Sequence, residues 1–366
     1  MLEVAFVTDA PRIAGSEIWL KELLPRLPLH GIRPTLLLPQ NPSLLPLARE
    51  LNDKGVKASF YLHFTDEIFR QTFDLWILQA WKGWTYYALL PRLARPRLVI
   101  VHDQLDYHYP WGLKRIYQGL YLLEKARPMR KADLVITVSK WGAQRLKRIG
   151  FPKVIGVPNG VDTDRFYPPK EGERRELRSK YGFHRFTVLV PGRFAPEKNQ
   201  IAALLVAKEA PEIDFVFVGD DDSPIGWVAG KMARMYNLPN IRFMGRRADM
   251  PELYRASDAV LQPTLAENQS LVTLEAMASG LPVITTPIPA QQELIRDGIE
   301  GFLVPPRPHL LAKALRRLSL NPTLAQKLGQ AGRAKVLAAH TLDQSAFHLA
   351  AALKGKEEEV GCASTG

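Results

Sequence analysis

Glu267 and Glu275 lie eight residues apart in Gln262-Pro263-Thr264-Leu265-Ala266-Glu267-Asn268-Gln269-Ser270-Leu271-Val272-Thr273-Leu274-Glu275-Ala276-Met277-Ala278-Ser279-Gly280-Leu281-Pro282, where an apolar run gives way to a polar loop and a helical pattern starts near Gln269. One carboxylate before a helix and one about two turns inside it could bracket a ligand whose phosphates rest on the helix N-terminus, where unpaired N–H groups attract anions. The plainer roles, Glu267 as cap and Glu275 as a solvated side chain, fit poorly because Leu274, Ala276, Met277 and Ala278 surround Glu275. In Pro191-Gly192-Arg193-Phe194-Ala195-Pro196-Glu197-Lys198-Asn199, two cations five residues apart flank a proline-bent turn. Arg193 as a fork and Lys198 as a point charge could grip a diphosphate; alternatively Glu197 neutralises one of them on a solvated turn. Gly15, in Ala14-Gly15-Ser16-Glu17 before a helix from about Ile18, lets a ligand approach backbone closely, although Ser16 also reads as a simple cap. His102 follows the run Leu98 to Val101, where it could meet a sugar or phosphate or serve as a structural residue. Asp220 and Asp222 form an Asp-x-Asp that could hold a divalent ion, but acidic residues after a strand read better as a turn.

These residues follow short aliphatic runs, each succeeded by a helical pattern. The runs are Val4 to Val7, Thr35 to Leu38, Leu75 to Leu78, Leu98 to Val101 and Leu134 to Val138, then Thr187 to Val190, Asp214 to Val218, Ala259 to Leu261 and Pro282 to Thr285. Continuous apolar runs alternating with amphipathic segments predict parallel sheets covered by helices on both faces. The Pro/Gly-rich stretch from Gly156 to Pro169 separates two such series, and a helix opens within Glu171 to Lys180. The expected class is α/β with two domains, 1–165 and 166–342, a helix at about 343–355 returning to the first, and a disordered tail at 356–366. Ligands of open parallel sheets lie beyond the carboxyl ends of the strands, which is where the candidate residues stand.

The 366 residues suit two domains at about 150 residues each. The single cysteine, Cys362, excludes an intramolecular disulfide and a cysteine-based zinc site. There is no Walker loop and no G-x-G-x-x-G, which removes the main support for nucleotide hydrolysis or a dinucleotide cofactor. No leader precedes Leu2 to Val7 and no apolar run is long enough to span a bilayer, so a cytoplasmic protein is expected. The net charge of +12 is concentrated: residues 81–153 hold 15 Lys and Arg against 4 Asp and Glu, a net +11. Clustered charge implies an anionic partner. Trp111 to Arg130 reads as an amphipathic helix whose apolar face (Leu113, Ile116, Tyr117, Leu120, Tyr121, Leu123) is expected to pack on the first sheet. That leaves Lys114, Arg115, Lys125, Arg127 and Arg130, with Arg145, Lys147 and Arg148 beyond, for an anionic membrane surface. Trp81, Trp84, Tyr86, Tyr87, Tyr107, Tyr109 and Trp111 would suit base stacking, but a nucleic-acid-binding protein leaves the two-glutamate segment unexplained, and no nucleic-acid partner is expected.

Ala132-Asp133-Leu134-Val135-Ile136-Thr137-Val138-Ser139, Pro158-Asn159-Gly160-Val161-Asp162 with Phe166, Gly192-Arg193 with Glu197-Lys198-Asn199, and above all Glu267, seven residues, Glu275-Ala276-Met277-Ala278 and Gly280-Leu281-Pro282-Val283 resemble the retaining glycosyltransferases of family 4. The resemblance implies the glycosyltransferase B-type fold, with two Rossmann-like domains facing a central cleft. It also implies transfer of a sugar from a nucleotide-diphosphate sugar with retention of configuration, without a metal or resident cofactor. Arg193 and Lys198 would neutralise the diphosphate, and Glu275 would hold the ribose hydroxyls. Glu267 with the backbone of Asn268, Gln269, Ser270 and Leu271 would hold the donor sugar and phosphate. Gly15 and His102 would complete the site from the first domain, and the base would lie near Met244 and Arg246. The chain departs from the family pattern at Ala14-Gly15, where a glycine pair is usual, at Asn268-Gln269-Ser270, where Gly-Phe-Gly is common, and at Asp221, often glycine. An epimerase or phosphorylase on the same fold is the alternative. The acceptor is expected to be lipid-linked, with the protein peripheral on the inner face of the membrane, or else a soluble anionic molecule.

Overall fold

Apolar residues on both sides of a strand require cover on both sides of its sheet, and both sheets of this chain are built that way. The computed structural model describes residues 1–106, 111–220 and 222–355, and of Trp111 the backbone alone. The expected tail at 356–366 with Cys362, together with Tyr107, Tyr109, the side chain of Trp111 and Asp221, lies outside the described residues. The chain divides into two units, Met1–Gly160 joined by the segment from Leu342 onward, and Val161–Thr341. The second unit thus begins at Val161, a little before the expected 166, because Val161 bridges to Thr341 and is buried in the second unit's core.

Among the described residues, the first unit holds a parallel sheet of β1 (Leu2–Thr8), β2 (Ile32–Pro39), β3 (Lys57–Tyr61), β4 (Leu75–Gln79), β5 (Arg97–Val101), β6 (Leu134–Thr137) and β7 (Val154–Gly156), in the order β3-β2-β1-β4-β5-β6-β7. Val4 and Phe6 point into a core shared with helix Gly15–Leu23, while Ala5 and Val7 point into a second core with Tyr86 and Leu89 of helix Gly83–Leu89. Helix Leu342–Leu353 packs on the first of these cores through Leu342, Ala346, Leu349 and Ala350, and Ser345 Oγ donates to the carbonyl of Pro158 at 2.8 Å.

The second unit repeats the plan with β8 (Thr187–Pro191), β9 (Asp214–Val218), β10 (Ile241–Phe243), β11 (Ala259–Gln262), β12 (Val283–Thr285) and β13 (Gly301–Leu303), ordered β10-β9-β8-β11-β12-β13. Val188 and Val190 face one core and Leu189 the other. The strand order reverses between β1 and β4 in the first unit and between β8 and β11 in the second, so each unit has a crevice at its switch point.

Helix Trp111–Tyr121 and the π turn Leu122–Ala126 contradict the expected packing. Their polar side faces the protein: Lys114 pairs with Asp106 at 3.0 Å, Gln118 donates to Asp106 at 3.1 Å, and Lys125 pairs with Asp103 at 2.5 Å. With Asp103 and Asp106 fixing that side, the apolar side turns outward, and Leu113, Ile116, Tyr117, Leu120 and Leu123 are exposed. Tyr121 packs partly against the core. No helix among the described residues is long and apolar enough to cross a membrane.

Candidate functional site

In the second unit, the segments after β8 and β11 meet because those strands are neighbours in register. The turn after β8 is closed by Gln200, whose Nε2 donates to the carbonyl of Gly192 at 3.2 Å, and by Asn199, which adopts the left-handed conformation with φ 55°. Asn199 Nδ2 then donates to the Pro263 carbonyl at 3.0 Å, and Leu265 N to the Glu197 carbonyl at 2.7 Å, tying the two loops together. Gly219 at the end of β9 completes the crevice floor; a Cβ there would stand 2.1 Å from the Gly192 oxygen, so the residue type itself permits the approach.

Lys198 Nζ lies 2.5 Å from Glu267 Oε1, with the lysine side chain 18% and the glutamate side chain 7% exposed. The same carboxylate oxygen accepts from Gln262 Nε2 and Thr264 Oγ1, each at 3.1 Å. Gln262 also donates to Ser270 Oγ at 2.8 Å and accepts from Thr273 Oγ1 at 2.6 Å, so one side chain at the end of β11 orders both the loop and the helix. Ser270, not Glu267, caps the helix Leu271–Ala278 by accepting from Thr273 N, which starts the helix slightly later than Gln269 and leaves the Glu267 carboxylate to its pair with Lys198. Asn268 and Gln269 are buried, and Gln269 Nε2 donates to Glu293 at 3.1 Å.

Glu275 is half-buried, and its Oε2 accepts from the buried Tyr254 Oη at 2.9 Å. Burial and this carboxylate push the Tyr254 hydroxyl well above the usual tyrosine pKa, so it remains a proton donor. Arg193, half exposed, pairs with Glu197 one turn on; the plainer reading of that turn therefore holds for Arg193 in this state. Met244 N donates to the Phe217 carbonyl at 2.9 Å, which seats Met244 beside the end of β9 with Arg246 exposed two residues later. Asp220 accepts weakly from Asp222 N at 3.4 Å, a turn contact.

In the first unit, helix Gly15–Leu23 begins at Gly15, before the expected Ile18, with Ala14 rather than Ser16 at its N-cap. A Cβ on Gly15 would meet no atom within 4 Å, so the protein's own packing does not require glycine there. His102 is half-buried after β5, its ring edge-on to Trp19 with centroids 5.0 Å apart. Its Nε2 lies 2.9 Å from Gln79 Oε1, an acceptor, which assigns the proton to Nε2 and leaves Nδ1 as the lone-pair nitrogen. Desolvation pushes the imidazole pKa down to about 3, so it is neutral.

Sequence reasoning missed the polar groups holding this corner. Glu17 is fully buried, accepting from Ser16 Oγ at 2.9 Å and Trp81 Nε1 at 3.2 Å, and burial raises its carboxyl pKa. Asp9 accepts from Trp81 N at 2.6 Å and from Thr85. Gln79 and Gln262 were also overlooked, yet both are the last residue of a strand beside a switch point, a signal the sequence does carry.

Two doubly wound parallel sheets, each with polar and charged side chains at the crevice where its strand order reverses, define a two-domain α/β protein of the Rossmann-like kind. Residues 13–165 match the family model described as Glycosyltransferase Family 4, and residues 173–335 match Glycosyl transferases group 1. EpsD of Bacillus subtilis is 30% identical over 225 residues, 56% of this chain and 56% of that protein. The UDP-Gal:alpha-D-GlcNAc-diphosphoundecaprenol alpha-1,3-galactosyltransferase of Escherichia coli is 30% identical over 159 residues, 42% of this chain and 41% of the relative. The chain thus spans roughly half the length of these relatives. Among solved structures, Anabaena HepE in complex with UDP and glucose superposes with a TM-score of 0.80 at 19% identity, covering 97% of this chain and all of that one. The chain belongs to the group 1 glycosyltransferases of family 4.

Proposed function

We propose that this protein moves a sugar from a nucleotide-diphosphate sugar to an acceptor, with retention of anomeric configuration and with a lipid-linked molecule as the acceptor. The observation that carries this reading is the grouping of Lys198, Glu267, Gln262 and the Ser270-capped helix at the β8/β11 switch point, with Glu275 farther along that helix. As the bond between the sugar's anomeric carbon and the diphosphate breaks, its electron pair passes to the leaving phosphate oxygen. Fixed cations and helix N–H groups stabilise charge that develops in this way. Lys198 and Arg193 both hold carboxylate partners in this state, so donor binding exchanges those carboxylates for phosphate oxygens. Glu267, released from Lys198 but still held by Gln262 and Thr264, takes the sugar hydroxyls, and Glu275, oriented by Tyr254, takes the ribose. Gly15 gives the donor close access to backbone in the first unit, and His102, as a neutral imidazole, offers Nδ1 to a sugar hydroxyl.

Retention rests on membership of the family. Metal independence is part of the proposal, because two cations and a helix terminus already serve the diphosphate. The lipid-linked acceptor is supported by the name of the Escherichia coli relative and by the basic stretch 81–153, and with such an acceptor the proposed location is peripheral, on the inner face of a membrane. Incubation with a panel of nucleotide sugars and a lipid-diphosphate saccharide, with and without chelator, tests it. Nucleotide release coupled to a glycosylated product, unaffected by chelator, is the expected result. An isomerised donor would overturn transfer, and activity restored only by magnesium or manganese would overturn metal independence.

A further inference from the structure

The helix Trp111–Tyr121 with its π turn Leu122–Ala126 is amphipathic but mounted in reverse. Lys114, Gln118 and Lys125, spaced along one stripe, are held against the protein by Asp106 and Asp103. On the opposite side Leu113 is 50%, Ile116 58%, Leu120 55% and Leu123 66% exposed, an i, i+3, i+7, i+10 row that the described residues leave largely open. The π turn is wider than an α turn and rejoins the core at Ala126 and Met129, so the helix is fixed at its end while its apolar row stays outside. Tyr87, 45% exposed, adjoins the row, since its Oη donates to the Leu123 carbonyl at 3.1 Å, and Trp84, 54% exposed, stands three residues earlier on the same helix as Tyr87. On and just after the helix Trp111–Tyr121, Arg115, Arg127 and Lys131 are exposed, within the segment that carries net +11.

A protein partner would match an apolar row alone. An apolar row with amphipathic aromatics beside it and cations along the same segment matches the layered chemistry of an anionic bilayer surface: acyl chains, then the headgroup boundary, then phosphates. We infer that this helix is a membrane-docking element, inserting Leu113, Ile116, Leu120 and Leu123 below the headgroups of an anionic leaflet while the cations engage lipid phosphates. The inference deepens, and rests on, the proposed use of a lipid-linked acceptor, but it concerns a surface whose occupancy is measured without donor or acceptor.

Flotation of the full chain with phosphatidylglycerol/phosphatidylethanolamine vesicles, and with pure phosphatidylcholine vesicles, at low and high salt provides the test. The expected result is binding to the anionic vesicles that high salt weakens but does not abolish. The triple variant Ile116→Ser, Leu120→Ser, Leu123→Ser should lower that partitioning roughly tenfold or more. Its melting temperature and its nucleotide release with a short-chain soluble acceptor should stay at the wild-type level, because the replaced side chains are exposed. A pair of reversals, Arg127→Glu and Lys131→Glu, should weaken binding to anionic vesicles while leaving the salt-resistant fraction. No vesicle binding by the wild type, or binding indifferent to the triple variant, overturns the inference while leaving transfer to a soluble acceptor to be judged separately. A concentration-dependent dimer in light scattering that the triple variant dissolves, without vesicle binding, overturns it in favour of an interface between copies.

Discussion

Lys198→Met keeps the side chain's apolar stem and removes its charge, which isolates the pair with Glu267. The lost partner stood 2.5 Å from a carboxylate whose side chain is 7% exposed. Breaking a buried pair from one side costs about 3–5 kcal/mol when the remaining charge has no other partner. Here Gln262 and Thr264 still donate to Glu267 at 3.1 Å, and the lysine is 18% exposed, so the cost should fall to about 2 kcal/mol. For a unit of this size that lowers the melting temperature by roughly 4–8 °C. In the background of Glu267→Gln no buried carboxylate needs the lysine, and the same change should cost at most about 0.5 kcal/mol, a coupling near 1.5 kcal/mol. Activity should behave differently: loss of a cation at the leaving phosphate lowers kcat by about 10²–10³ whichever residue occupies position 267. Thermal unfolding of the four proteins of this cycle, with nucleotide release measured alongside, separates the two roles. Equal destabilisation in both backgrounds would refute the pairing argument, and near-parental turnover in Lys198→Met would refute its place at the diphosphate.

Three further outcomes follow from the same geometry. Gly15→Ala should melt as the wild type does, since a Cβ there meets nothing within 4 Å, yet lose roughly tenfold or more in kcat/KM as the methyl group intrudes on the donor; unchanged kinetics would remove Gly15 from the site. Tyr254→Phe removes a 2.9 Å hydrogen bond to Glu275 and should raise KM for the donor about tenfold with little change in kcat, read from initial rates. His102, with its pKa pushed down to about 3 from 6.5, favours the folded state when neutral, so this contribution is complete above about pH 6.5 and is lost as pH falls toward 3. Glu17, raised by burial, acts in the opposite sense, and His102→Gln should flatten the loss of stability between pH 6 and about 4 in urea titrations.

The interior of both sheets was legible in the sequence because interior strands are apolar on both faces. The nine runs read from the sequence correspond to β1, β2, β4, β5, β6, β8, β9, β11 and β12. The four strands that escaped, β3, β7, β10 and β13, are the edges of the two sheets. An edge strand is covered on fewer sides, so Lys57–Tyr61 and Ile241–Phe243 carry half-buried and exposed residues instead of a continuous apolar run. At the site, loop position put Glu267, Lys198 and Arg193 near strand ends, and the local pair of Arg193 with Glu197 was within reach of the sequence, but the pair of Lys198 with Glu267 spans 69 residues and no local pattern encodes it. The orientation of helix Trp111–Tyr121 was beyond reach for the same reason: periodicity identifies an apolar side and a polar side, while Asp103 and Asp106 decide which one faces inward.

Helix Leu342–Leu353 belongs to the unit that begins at Met1, and that gives biosynthesis an order. On the ribosome the strands β1 to β7 emerge first, but Leu24, Leu27 and Leu353 share one core, and Asp343 is the partner of Arg26. The second unit, Val161–Thr341, is contiguous and has all its strands in hand before that helix is translated. The half of the protein begun first is therefore closed last, and for the whole interval its apolar floor beneath the missing helix stands open to chaperones, to neighbouring nascent chains and to the membrane itself.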